Sequence, residues 1–252
     1  MAETEIFVKN PHSILEALKS RPKEVLQISL PREGTDGVWE EIIEIAEKNK
    51  VRVQETAAAD RSGNRRDKNN FKGALGGRES AHGALVRAKS STSVEAMFGN
   101  VSESSRGVWL ALDSLQDPQN LGAIFRSASF FGVKGILLTT ERSAPMSSVV
   151  YDISCGGVET VPFVQVINLQ RAFEKAKDVG LWILGTSEHA KESVKKIDHD
   201  RPWLLVLGNE EKGIRRLTEE SCDMMCTIPA SKNGVPSLNV SVAAGVLLSH
   251  LC

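Results

Sequence analysis

The stretch VWLALDSLQDPQNLGAIFRSASFFGVKGILLT, residues 108–139, decides the architecture. It opens on a short apolar run, passes an acidic turn at Asp113 and Asp117-Pro118, and continues with Leu121, Ile124, Phe125 and Ala128 at helical spacing. It closes on a second apolar run. Short, nearly continuous apolar runs read as strands buried on both faces, and the spacing between them is one face of a helix. Further out, VPFVQV (161–166), LWILGT (181–186) and WLLVLG (203–208) repeat the strand signal. LQRAFEKAKDVG (169–180) and IRRLTEESC (214–222) repeat the helix signal, and SLNVSVAAGVLLSHLC (237–252) ends the chain as an apolar helix too short to span a bilayer. Such alternation predicts a doubly wound α/β domain on a parallel sheet, with ligands beyond the carboxyl ends of its strands.

Ahead of it, residues 90–107 are rich in small polar side chains and read as a linker, which divides the chain into domains 1–88 and 106–252 joined by 89–105. The first domain alternates too. Asn10-Pro11 opens a helix with Ile14, Leu15 and Leu18 on one face, VLQISL (25–30) and VRVQET (51–56) are strands, EEIIEIAEKNK (40–50) is an amphipathic helix, and HGALVRA (82–88) closes a small α/β unit. With 31 basic and 32 acidic residues the net charge is −1, so a nucleic acid must be met by a local patch. The segment from Arg61 to Arg78 offers one: Arg61, Arg65, Arg66 and Lys68, with Lys72 and Arg78, stand among glycines against Asp67 alone. The four cysteines and five histidines form no metal-ligand spacing, and the amino terminus carries neither a signal-peptide nor a transit-peptide pattern. The expected setting is cytoplasmic, without metal or membrane.

Three strand ends carry unusual residues. After Asp113, Asn120 stands at an N-cap position, and Arg126 lies away from the apolar stripe, facing solvent, a partner subunit or a ligand. LGNEEKG (207–213) places Glu210 in a tight loop between Gly208 and Gly213, glycines that permit close approach of backbone to a ligand. The loop lacks the lysine of a phosphate-cradling P-loop, and the chain has no GxGxxG fingerprint. Third, IPASKNGVPSLNVSVAAG (228–245) brings Ser237, Leu238 and Asn239 to the start of the last helix, where Ser237 or Asn239 can act simply as a cap.

In this order, DPQNLGAIFRSASFFG (117–132), LGNEEKG and IPASKNGVPSLNVSVAAG resemble the three motifs of the SpoU-type, TrmH-like RNA 2′-O-ribose methyltransferases of the SPOUT superfamily. The resemblance covers about residues 106–252. It implies a trefoil-knotted α/β methyltransferase domain that holds S-adenosylmethionine, behind a smaller N-terminal ribosomal-protein-like RNA-binding domain. Motif by motif, it implies that Asn120 and Arg126 hold the target ribose and phosphate, with Glu210 and Asn239 in the active centre. It implies that Gly208, Ile228 and Leu238 contact the cofactor through backbone groups, with Ser237 beside them and Thr186 as a further contact. The expected activity is methylation of a ribose 2′-hydroxyl in large-subunit ribosomal RNA, at guanosine. A transfer RNA methyltransferase and a non-catalytic ribosome-assembly factor are the alternatives. A homodimer is implied as well; it agrees with Phe130 opposite Leu121 on its helix and with a final helix apolar nearly all round.

Overall fold

The structure is a computed structural model that describes residues 4–31, 37–56, 82–102, 105–231, 233–235 and 237–252. The basic residues Arg61, Arg65, Arg66 and Lys68 lie outside the described residues. The chain divides into two compact units, Met1–Ala88 and Lys89–Cys252.

In the first unit, β1 (Glu5–Val8), β2 (Val25–Pro31), β3 (Arg52–Thr56) and β4 (Gly83–Arg87) form one sheet in the order β1-β4-β2-β3. Only the β2–β3 pair is parallel. Helix α1 (Pro11–Ser20) starts at Asn10, whose Oδ1 accepts from the backbone N–H groups of His12 and Ser13 at 2.9 and 3.2 Å. It packs on α2 (Val38–Lys48), and Ile14, Leu18, Ile28, Ile42 and Val86 are buried.

The second unit is the doubly wound domain. Strands β5 (Val108–Leu112), β6 (Ile136–Thr139), β7 (Phe163–Val166), β8 (Trp182–Thr186), β9 (Glu192–Ser193), β10 (Trp203–Leu207) and β11 (Met224–Thr227) make one parallel sheet, ordered β7-β6-β5-β10-β8-β11-β9. On one face, Trp109, Ala111, Leu137, Ile183, Leu204 and Val206 meet α3 (Val94–Phe98) and α7 (Leu169–Asp178). Helix α7 buries Leu169, Ala172, Phe173 and Ala176, the i, i+3, i+4, i+7 set of an amphipathic helix. The alternating residues Leu110, Leu112, Phe163 and Leu205 point the other way. There α4 (Pro118–Phe130) buries Leu121, Ile124, Phe125 and Ala128 and stacks Phe125 edge-on against Phe163, the ring centroids 5.8 Å apart. Helices α5 (Ser148–Ser154), α6 (Gly157–Thr160) and α9 (Val240–Leu251) pack on α4, and α8 (Arg216–Glu220) contacts α7. No helix among the described residues is long and apolar enough to cross a membrane.

The linker expected over 89–105 is corrected by the structure. Lys89 belongs to the second unit: its ammonium donates to the carbonyls of Val158, Glu159 and Val161, and its backbone N–H donates to the Tyr151 hydroxyl. Thr92 donates its N–H to the Phe163 carbonyl, Glu95 pairs with Lys175, and Phe98 is 2% exposed within the core. Small polar residues dominate this stretch, yet its few apolar ones sit at helical spacing and find a face of the sheet to cover.

Candidate active site

Asp113 and Ser114 follow β5 directly. Ser114 is buried and adopts φ 62°, the left-handed region that a non-glycine residue enters only when its surroundings hold it there. Every polar group of Ser114 is engaged. Its N–H donates to Thr139 Oγ1 at 3.0 Å, its hydroxyl donates to Asp113 Oδ1 at 3.2 Å, and its carbonyl accepts from Asn209 Nδ2 at 3.1 Å.

Helix α4 then begins at Asp117, not at Asn120. Asp117 Oδ1 accepts the Gln119 N–H at 2.9 Å and Pro118 fills the first helical position, so the N-cap reading of Asn120 is corrected. Because the cap is supplied elsewhere, the Asn120 amide, 7% exposed, is available for other partners. Asn120 Nδ2 donates to Glu210 Oε1 at 3.1 Å, and Asn120 Oδ1 accepts from Asn239 Nδ2 at 3.0 Å. Asn239 serves twice, since its Oδ1 also caps α9 by accepting the Ser241 N–H at 2.9 Å.

The loop after β10 closes on itself. Asn209 and Gly213 exchange backbone hydrogen bonds at 3.0 and 2.9 Å, and Asn209 Oδ1 accepts the N–H groups of Glu211 and Lys212. Asn209 Nδ2 reaches Glu210 Oε2 at 3.1 Å, so the carboxylate is held by one amide on each oxygen. The close approach foreseen at Gly208 is made by the chain itself, where the backbone of Gly213 and Ile214 fills the space above its Cα. A β-carbon on Gly213, at φ +65°, would meet nothing within 4 Å, so this glycine keeps that role open.

Asn120, Glu210 and Asn239 therefore meet, although 119 positions separate the first from the last. Asn209 joins them, a site residue that the motifs do not mark; its signal in the sequence is an amide beside the carboxylate in a glycine-bounded loop. Arg126, two turns along α4, is exposed, and its side chain makes no hydrogen bond or ion pair to any described residue. Thr186 ends β8 with its hydroxyl donating to the Val206 carbonyl at 2.9 Å. Ile228 is half-buried after β11, and Ser237 and Leu238 are exposed just before α9. Burial pushes the thiols of Cys222 and Cys226 up to about 12, so neither supplies a thiolate near neutral pH.

The model of the SpoU rRNA Methylase family matches residues 107–249. The 23S rRNA (guanosine-2′-O-)-methyltransferase RlmB of Pseudomonas aeruginosa is 35% identical over 95% of this chain and 93% of its own length. Among solved structures, the SpoU methyltransferase AviRb from Streptomyces viridochromogenes superposes with a TM-score of 0.77 at 20% identity, covering 98% of this chain and 88% of that one. Its complex with the cofactor AdoMet gives 0.73 at 21% identity, covering 98% and 89%. At these identities the two structures speak for the fold alone.

Proposed function

Because the chain belongs to the SpoU rRNA methylase family, we propose that it transfers a methyl group from S-adenosylmethionine to a ribose 2′-hydroxyl of large-subunit ribosomal RNA, at guanosine. The observation that carries this reading is the side-chain network of Asn239, Asn120, Glu210 and Asn209, which joins three distant segments at one end of a parallel sheet. The nucleotide and the RNA class rest on the name of the Pseudomonas relative.

The strand ends fit the cofactor. β10, β8 and β11 are successive neighbours in the sheet, so the segments bearing Gly208, Thr186 and Ile228 leave it side by side. Leu238, 47% exposed, offers an apolar face to an adenine, and its backbone makes no hydrogen bond to any described residue. Ser237 adds a hydroxyl for a ribose. Thr186 braces β8 against β10, and Gly208 lets the Glu210 loop close. When bound, the sulfonium supplies an activated methyl group.

The rest falls to the chain's own residues. Glu210, steadied by Asn120 and Asn209, keeps lone pairs on both oxygens for the target ribose, and Asn239 fixes the orientation of Asn120. Arg126 offers its planar fork to the adjacent phosphate and the 2′-oxygen. With S-adenosylmethionine bound to supply the methyl group, the 2′-proton would pass to the phosphate that Arg126 grips.

The first unit is the RNA-binding domain, with Arg61, Arg65, Arg66 and Lys68 on phosphates. The enzyme is a homodimer, and it works in the cytoplasm, where its substrate is made. The catalytic domain is knotted, as the sheet order supports: β8 and β9 are laid down with gaps that β10 and β11 later fill. An experimental chain trace without a threaded loop in residues 186–240 removes the knot.

Single-turnover methyl transfer to deproteinised bacterial 23S ribosomal RNA tests the whole. Arg126→Ala lowers the rate by a factor of about 10² or more with cofactor affinity intact, and Arg126→Lys restores little. Neutralising Arg65, Arg66 and Lys68 flattens the salt dependence of RNA binding. A near-wild-type rate for Arg126→Ala removes its role, and no 2′-O-methylation by the wild type removes the activity.

A further inference from the structure

Asp113 and Arg215 lie against the proposed centre and have no part in the reaction described above. Asp113 is fully buried at the end of β5, and both its oxygens are engaged. Oδ1 accepts from Arg215 Nε at 2.6 Å and from the Ser114 hydroxyl, while Oδ2 accepts the Arg215 backbone N–H at 3.1 Å.

This differs from an ordinary arginine–carboxylate pair. Arg201, for comparison, spends one whole guanidinium edge on Asp200, donating from Nε at 2.7 Å and from Nη2 at 3.0 Å. At Arg215 the backbone N–H takes the second oxygen, so the guanidinium commits only Nε. Its terminal nitrogens make no hydrogen bond to any described residue, and the side chain is 46% exposed. A buried carboxylate thus orients a planar cation while leaving its outer fork unspent. The connection to the centre is direct, because Ser114 contacts Asp113 through its hydroxyl and Asn209 through its carbonyl, and Asn209 holds Glu210.

We propose that Arg215, oriented by Asp113, is a second phosphate-gripping residue of this centre, and that its ligand is a phosphodiester of the substrate RNA beside the target nucleotide. The planar outer edge, Nη1 and Nη2, matches two phosphate oxygens, a geometry an ammonium lacks. Arg126 and Arg215 then hold the RNA from two different elements, α4 and the loop ahead of α8. The proposal rests on the reading of the chain as an RNA methyltransferase.

Two variants separate gripping from mere bracing. Asp113→Asn combined with Arg215→Gln removes the fork and the buried charge together and leaves the net charge unchanged, so a loss of RNA affinity cannot come from long-range electrostatics. Arg215→Lys keeps a cation for Asp113 but has no second edge to offer. With deproteinised 23S ribosomal RNA as the probe, both variants bind RNA about tenfold more weakly, the worth of one charge-assisted hydrogen bond. Their S-adenosylmethionine affinity stays at the wild-type value, and Arg215→Lys keeps the wild-type melting temperature. Wild-type RNA affinity in either variant overturns the proposal, and so does a parallel loss of cofactor affinity, which marks a purely structural brace. The methylation assay on the wild type keeps the two readings apart. A wild type that binds RNA without methylating it removes the activity and leaves Arg215 to the binding data; a methylating wild type whose variants bind normally removes Arg215 alone.

Discussion

At Gly208, the β-carbon carried by any other residue stands 2.1 Å from the Gly213 carbonyl carbon and 2.3 Å from the Ile214 nitrogen. No side chain relieves that contact, because both neighbours are backbone. Gly208→Ala therefore forces the 208–214 loop open, at about 1–3 kcal/mol for an overpacked site. Since Glu210 rides on that loop, cofactor affinity and methyl transfer fall with the melting temperature. Gly213→Ala meets open space and costs only the left-handed backbone, ~1–2 kcal/mol. Calorimetric titration and thermal melts of the two variants check the ranking, and a Gly208→Ala protein as stable as the wild type sinks it. In the sequence, both glycines suggest a ligand approached by backbone. Only the folded loop separates the one that meets its own chain from the one that stays open. Asn120 makes the same point: near a helix start its type suggests a cap, and the cap supplied by Asp117 is what leaves its amide to Glu210 and Asn239.

Among the elements, the regular ones were legible and the short ones were not. Helix α7 and the five apolar runs announce themselves, because burial of one helix face or of both strand faces imposes a pattern on the residues. Helix α3 has five residues inside a serine-rich stretch, too few for any period to stand out. Its place is set by tertiary packing, with Phe98 among Trp109, Phe173 and Leu181. If the segment were a tether, trimming Phe98 would cost nothing. Packed as it is, Phe98→Ala lowers stability by about 3–5 kcal/mol. Equilibrium urea unfolding measures this, and a change below 1 kcal/mol would return the segment to the status of a linker.

For the molecule as a whole, the surface of the second unit carries a pattern that bears on assembly. Phe130 ends α4 at 83% exposure, and Val242 of α9, a helix packed on α4, is exposed as well. Phe131 meets only one edge of the Phe130 ring, the centroids 5.1 Å apart; apolar surface left on water is costly at ~25 cal/mol per Å², so covering it by a second copy favours association. Light scattering at micromolar concentration is expected to give twice the chain mass of 27.4 kDa. A Phe130→Asp variant shifts the mass toward the monomer, whereas a wild type that is monomeric throughout ends the homodimer reading.

Apolar patterning along the chain is enough to make the second half a parallel α/β sheet, since strands buried on both faces must be apolar throughout and their connecting helices apolar on one side. The resemblance of three motifs also names Asn120, Glu210 and Asn239. Folding alone settles which of the polar groups at the strand ends are spent and which remain open to a ligand. Asn209 is consumed in holding Glu210, Thr186 in bracing two strands, and Asp113 in turning Arg215. The reason is physical: a hydrogen bond depends on distance and direction across elements far apart in the chain, and no local pattern of residues encodes either.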